Sequence, residues 1–513
     1  MITGSLFKRE VARISSNYFR LVTNFAIGIF IVRLALSFGT EFFSIYSLIT
    51  VGFGFSIMIR ELLRIGFVPK LGRCFVDGIV EVREFRETYG NCFIVSLGFA
   101  VVGAMIMLGL GKAILPTTES PDLKESAFVF LIFRILVMML MVSSAPAINL
   151  LLITQRQITA NVIKIAERTV ELSAFMIPIS LTANISPAQL FLFFGPCSLI
   201  LMSLLYFTII LYLRKIDQNF MPTFRGFDKM NVLGLLKTMG WSALIVFSMG
   251  LYARTNVVLT NILLGALATT LIGISIQVMG YSRQISTGLI SGLDAVFASF
   301  VSSKEAKHTN KEKLLFGTSA LQASLVFNLV GLYILFNQFL LGLWIGDVLE
   351  NPEESLIIIG ELSILMVGGI SVRGLTLSWI SAMTGTGNVN EFAGWLVPPA
   401  LLSPVIILLL FYLLGSDFTV IYFGWVFLIL QIIAHGVFLP WRTSKTLNIS
   451  IMNLMKPFLI PALSSIIAYF SCQFIFDNYP DVSQLNIFLI CLGIFMLSGM
   501  FSLVSSFAQV RRY

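Results

Sequence analysis

Fourteen predominantly apolar stretches follow one another along the chain, separated by short polar breaks. A membrane-crossing α-helix needs about 20 such residues, with a range of about 17–25. Within the bilayer only helices and closed barrels satisfy their own backbone hydrogen bonds. The stretches run roughly over 17–38, 42–64, 91–111, 127–153, 160–181, 188–213, 241–263, 269–297, 314–344, 355–383, 392–414, 418–439, 458–476 and 485–507. The polar segments between them are too short for a soluble catalytic domain. The expectation is an all-α, polytopic membrane protein with no enzymatic activity of its own. Composition agrees: charged residues are 12% and hydrophobic residues 57% of the 513, against about 25% charged in a soluble domain. Lys8, Arg9 and Arg13 precede a first span too long to be the apolar core of a cleaved signal peptide.

Orientation follows from Lys and Arg in the loops, which favour the cytoplasmic side. With the N-terminus inside, the basic runs Arg60 to Arg86, Arg214 to Lys237 and Lys304 to Lys313 are all cytoplasmic. The outer loops keep Lys112 and Lys124 and hold Asp347, Glu350, Glu353, Glu354, Asp477 and Asp481. Both termini are then cytoplasmic. The net charge of +8 is a topological signal rather than a nucleic-acid-binding patch. The five cysteines form no C-x-x-C pair, and neither His308 nor His435 has a partner at metal-ligand spacing. The phosphate-binding G-x-x-x-x-G-K-[ST] is absent, as is H-E-x-x-H. No cofactor or metal is expected.

One gap-free shift of the chain against itself puts Gly39 on Gly265, Gly54 on Gly280 and Gly66 on Gly292, with Gly54-Phe55-Ser56 on Gly280-Tyr281-Ser282. Gly288 and Gly292 also form a G-x-x-x-G face. The repeat predicts a six-helix lobe over 1–225, a second over 226–445 and two added helices over 446–513. In transporters built this way, substrate binds near the bilayer midplane between the halves.

Charge inside the bilayer is costly and marks a pathway or a pair. The buried cations are Arg20, Arg33, Arg134, Lys164, Arg168, Arg254, Arg283 and Arg373, against deep acids Glu167, Glu171 and Glu361. Arg60 and Arg64 lie toward the inner end of the second span, with Glu61 between them. Guanidinium groups fork onto phosphate oxygens, so a cationic interior fits an anionic substrate. Arg33, Arg60, Arg254 and Arg283 are the leading candidates, followed by Arg20, Arg64, Arg134 and Arg373. Arg20 can instead snorkel to the inner face, and Arg60 can pair with Glu61. On the fifth span Lys164, Glu167, Arg168 and Glu171 share one face. They form self-neutralising Lys164–Glu167 and Arg168–Glu171 pairs or a site for a coupling ion.

The chain resembles the multidrug/oligosaccharidyl-lipid/polysaccharide exporter superfamily, and within it the bacterial polysaccharide flippases. The resemblance rests on Ser16-Asn17-Tyr18-Phe19-Arg20 through Leu34, the turn at Gly39, Tyr46-Ser47-Leu48 and Arg60 to Gly66. Leu343-Trp344-Ile345-Gly346 and the stretch from Pro440-Trp441 to Lys456-Pro457 extend it. The fourteen-span plan and Gly66-Phe67-Val68-Pro69 are similar to the lipid II flippases. Their cavity arginines would correspond to Arg20 or Arg33, Arg60 or Arg64, and Arg283. The resemblance implies alternating access across the inner membrane. The cargo would be an undecaprenyl-diphosphate-linked oligosaccharide such as an O-antigen, capsule or exopolysaccharide unit, with surrounding lipid as the medium. Proton or sodium coupling and a polysaccharide polymerase as partner remain open on these residues. So do a cation antiporter of the same superfamily and a lipid II flippase.

Overall fold

The computed structural model describes residues 4–76, 79–80, 82–115, 121–154, 156–182, 184–221, 227–290, 293–294, 296–297, 308–479 and 481–512. Gly292 and Lys304, used above for the repeat and the charge bias, lie outside the described residues. Helices α1 (Gly4–Leu36), α2 (Thr40–Ser47) and α3 (Ser56–Arg73) are followed by a two-residue β-hairpin, β1 (Phe75–Val76) with β2 (Ile79–Val80). Then come α4 (Val82–Ile114), α5 (Pro121–Ser143), α6 (Ala145–Ile153), α7 (Gln157–Leu181), α8 (Pro187–Ile216) and α9 (Lys229–Gly288). The chain continues with α10 (His308–Ile345), α11 (Pro352–Gly385), α12 (Val389–Leu414), α13 (Ile421–Gln431), α14 (Leu439–Leu447), α15 (Ile451–Asn478) and α16 (Gln484–Arg512).

Among the described residues, 12 segments are long and apolar enough to cross a membrane. The protein is a multi-pass membrane protein. Two features reconcile this number with fourteen expected spans. The seventh and eighth fall in one segment, Met239–Gly288, and the fifth, α7, is excluded from the apolar set by its four charges. Several expected spans are also interrupted. The fourth breaks at Ser144, whose hydroxyl donates to the Leu140 carbonyl at 2.9 Å, just before Ala145 and Pro146 open α6. The second contains a π-turn at Leu48–Gly52 and a non-helical step before α3. The twelfth runs past its expected end through a π-helical stretch, Ile432–Phe438, into α14. Sequence periodicity alone does not reveal such breaks, because side-chain back-bonding and one-residue bulges leave the apolar run intact.

The chain divides into two compact units, Met1–Gly273 and Ile274–Tyr513. The glycines of the repeat have a physical counterpart. Gly39 opens α2 at φ 98°, ψ 160°, and Gly265 interrupts α9 at φ 80°, ψ −165°. Both occupy the positive-φ extended region open to glycine, so each outer turn is made in the same way. In the first unit the turns also meet: Thr270 Oγ1 donates to the Thr40 carbonyl at 2.9 Å. A Cβ on Gly273 would lie 2.9 Å from Ser47 Oγ, so α9 approaches α2 nearly backbone to backbone.

The first unit packs an aromatic core between α2, α5, α7 and α8. Phe42 stacks on Phe191 at 4.2 Å, and Phe194 lies 4.4 Å from Phe175 and 5.1 Å from Phe130. α8 enters this core squarely because Ser186 and Gln189 form a reciprocal capping box ahead of Pro187. In the second unit, α10, α15 and α16 share a core of Phe336, Ala468, Cys472, Ile487, Cys491 and Phe495.

The α5–α8 contact depends on Gly195, where an added Cβ would sit 2.9 Å from the Phe133 Cβ. Gly195→Val is expected to lower the thermal midpoint in detergent by several degrees, since overpacking costs about 1–3 kcal/mol. Gly98→Ala, in open space on α4, should leave the midpoint unchanged or slightly raised. Fluorescence-detected thermal unfolding of the two variants checks this.

Candidate functional site

The site is built on α7. Spacings of three and four residues put Lys164, Glu167, Arg168 and Glu171 on one helix face, and the fold turns that face inward. Glu167 and Glu171 are only 9% and 7% exposed, so each needs donors to offset lost hydration. Arg60 Nη1 of α3 lies 3.0 Å from both carboxylate oxygens of Glu167. The Tyr206 hydroxyl of α8 donates to Glu167 Oε1 at 2.5 Å. Glu171 takes Arg168 Nη1 at 2.6 Å and Arg134 Nη2 of α5 at 3.5 Å. The Tyr46 hydroxyl of α2 also bonds to Glu171. Two carboxylates on one helix thus hold side chains from α2, α3, α5 and α8.

The pairing differs from expectation in two places. Glu167 is taken by Arg60 and Tyr206 rather than Lys164. Glu61 pairs with Arg64 at 2.9 Å rather than with Arg60. Arg60 reaches Glu167 because α3 starts afresh at Ser56 after the break in the second span, which sets the angular position of its side chains anew.

Lys164 and Arg20 are left without an ion pair among the described residues. They face each other because Asn161 Nδ2 donates to Ser16 Oγ at 2.6 Å and to Asn17 Oδ1 at 2.8 Å. One turn further along each helix lie Arg20 of α1 and Lys164 of α7. Arg20 interacts electrostatically with Glu61 and Arg64, and its Nε is buried without a hydrogen-bond partner. Lys164 interacts with Glu61, Arg20, Arg64 and Arg60. The cluster therefore holds four cations, Arg20, Arg60, Arg64 and Lys164, against two carboxylates, Glu61 and Glu167. It carries a surplus of two positive charges within the membrane spans of the first unit.

The other candidates lie elsewhere. Arg254 on α9 covers the break before α3: its Nη2 donates to the Gly54 carbonyl at 2.6 Å and its Nη1 to the Gly250 carbonyl at 3.1 Å. Its guanidinium also stands 5.2 Å from the centre of the Phe55 ring. Arg33 is part-buried on α1, about 20 Å along the axis from Arg20 at about 1.5 Å per residue. Arg283 and Arg373 belong to the second unit. Arg283 is exposed, on the side of α9 away from buried Ser282 and Ser286. Arg373 interacts with His435. There the Thr376 hydroxyl donates to the Arg373 carbonyl at 2.9 Å and so accepts from His435 Nδ1 at 3.0 Å. Among the described residues no group of three or more His, Cys, Asp and Glu side chains could hold a metal ion.

Tyr206 and Asn161 escaped the sequence reading, and Tyr46 entered it only within the resembling stretch Tyr46-Ser47-Leu48. Each is an unremarkable residue of an apolar span, and only its neighbour across the helix interface gives it a role. The pairs themselves are testable. Glu167→Gln is expected to destabilise the protein by about 3–5 kcal/mol, because it leaves Arg60 buried without a counter-charge. Arg60→Met combined with Glu167→Leu should recover most of that loss. A double-mutant cycle read by thermal unfolding in detergent measures both.

The chain matches no protein-family model and no curated protein sequence. It does match solved transporter structures. A structure of the lipid II flippase MurJ in an inward closed conformation superposes with TM-score 0.66 at 13% identity, over 96% of this chain and 98% of that one. A MOP superfamily transporter from Pyrococcus furiosus gives TM-score 0.63 at 13% identity, over 86% and 96% of the two chains. An inward-facing multidrug resistance transporter of the MATE family gives TM-score 0.62 at 13% identity, over 87% and 99%. The chain has the fold shared by transporters of the MOP superfamily.

Proposed function

We propose that the chain is an exporter of an anionic lipid-linked saccharide. It carries an undecaprenyl-diphosphate-linked oligosaccharide from the inner to the outer leaflet of the cytoplasmic membrane by alternating access. The observation that carries this reading is the unbalanced charge around Arg20 and Lys164. A diphosphate that links a lipid to a sugar bears one ionised oxygen on each phosphorus. Its two negative charges match the surplus of the cluster, and guanidinium forks suit its oxygens. Keeping two uncompensated cations within a membrane span is costly, and an anionic substrate supplies the compensation. The similarity to a lipid II flippase structure agrees with a lipid-linked saccharide as cargo. In this reading the two six-helix lobes, 1–225 and 226–445, move against each other, and 446–513 adds two helices.

Cation export fits these residues less well. A cation carrier needs a carboxylate available to its substrate, whereas in the first unit Glu167, Glu171 and Glu61 are each held by arginine. In the proposed reading Glu167 and Glu171 serve as structural ion pairs rather than as a coupling-ion site, which their engagement by arginine supports.

Reconstitution into proteoliposomes with a fluorescent short-chain polyprenyl-diphosphate N-acetylglucosamine tests the reading. The wild-type chain is expected to equilibrate the probe between leaflets. Arg20→Ala should slow this about tenfold or more, as the loss of a charged hydrogen bond worth about 1.5–3 kcal/mol requires. Unchanged flipping in both Arg20→Ala and Arg64→Ala would overturn the proposal. So would proton-driven uptake of an organic cation such as ethidium with no movement of the diphosphate probe.

A further inference from the structure

The cationic cluster has one member unlike the rest. Arginine keeps its proton throughout the accessible pH range, whereas a lysine ammonium can give its proton up. Lys164 is part-buried, and the charged groups around it come from three directions. α1 presents Arg20, and α3 presents Arg60, Glu61 and Arg64. Its own helix contributes Glu167 and Arg168, already committed to Arg60 and Glu171. α8 adds Tyr206, bonded to Glu167, and α6 brings no ionisable side chain. The proton on Lys164 is therefore held beside three guanidinium groups with one neighbouring carboxylate, Glu61, itself 2.9 Å from Arg64.

We propose that Lys164 is the proton-linked member of the anion site, so that a dianionic substrate and a proton on Lys164 favour each other's binding. The inference rests on the export reading above and deepens it. With Lys164 charged, the cluster matches the two charges of a lipid diphosphate ester; with Lys164 neutral it falls one short. Linkage makes the effect reciprocal: the anion strengthens proton binding by the factor by which the proton strengthens anion binding. The diphosphate is esterified at both ends and has no proton of its own to exchange near neutral pH. Proton uptake on binding therefore reports on the protein. Substrate and proton then leave the site together, and one negative charge rather than two crosses the membrane.

The test is titration calorimetry of the purified full chain in detergent with geranylgeranyl-diphosphate N-acetylglucosamine. Buffers of differing ionisation heat give the protons taken up per ligand from about pH 6.5 to about pH 9.5. The wild type is expected to take up a fraction of one proton per ligand, rising with pH. Its Kd should weaken by up to about tenfold per pH unit at the upper end, the limit for one linked proton. Lys164→Arg, with its charge fixed, should lose both the uptake and the pH dependence. Lys164→Met should lose them too and bind about tenfold more weakly at neutral pH. Equal proton uptake in the wild type and Lys164→Arg, or a wild-type Kd that does not change with pH, overturns this inference and leaves the anion site standing. No binding of the probe at any pH overturns the anion site and the inference with it.

Discussion

The first unit depends on two carboxylates buried on one helix. Glu167 and Glu171 lie about three and four turns into α7, and an uncompensated carboxylate there would cost several kcal/mol. Each is matched by an arginine from a different helix and by a tyrosine hydroxyl. The compensation is geometric as well as electrostatic. α2, α3, α5 and α8 must present Tyr46, Arg60, Arg134 and Tyr206 to the same face of α7. Lipid-facing apolar side chains cannot specify such a register, because they gain little by facing protein rather than lipid.

That satisfied core gives the remaining charges their meaning. Arg20 and Lys164 stand beside it, at the same level of α1 and α7, with Glu61 already engaged by Arg64. An ion-pair network that uses up its own carboxylates leaves a fixed positive field with no internal counterpart. The asymmetry separates cations held in ion pairs with the α7 carboxylates, such as Arg60 and Arg168, from Arg20 and Lys164, which the proposed export reading gives to an anionic ligand. Beside three guanidinium groups, Lys164 is the one cation of the group with an ammonium rather than a guanidinium proton.

Backbone breaks are managed by the same chemistry. The step between the π-turn and α3 frees the Gly54 carbonyl inside the membrane span, and the Arg254 guanidinium satisfies it while resting on Phe55. A Cβ on Gly54 would collide with the Thr50 carbonyl, so the tight step needs glycine. Sequence reasoning marked both Gly54 and Arg254, the first as part of a repeat and the second as a mid-membrane charge. Their contact joins the two observations.

The spans, the all-helical class and the outer turns at Gly39 and Gly265 could be read from the chain alone, because each rests on local properties: hydropathy over one helix length and the conformational freedom of single glycines. The charges that fall within the spans were equally plain, although Arg283 and Glu361, read as buried, are exposed in the structure. Their pairing was not. Arg60 meets Glu167 across 107 residues and Tyr206 meets it across 39, while nearer partners at Glu61 and Lys164 looked just as suitable. Which cation a buried carboxylate takes depends on helix rotation and on breaks such as the one before Ser56. Both are set by packing between helices distant in sequence. The amino-acid sequence by itself determined that this protein crosses the membrane many times with an excess of positive charge inside. Only the tertiary structure decided that, around α7, the carboxylates go to Arg60, Arg64, Arg134 and Arg168 and not to Arg20 or Lys164, since an ion pair forms between neighbours in space.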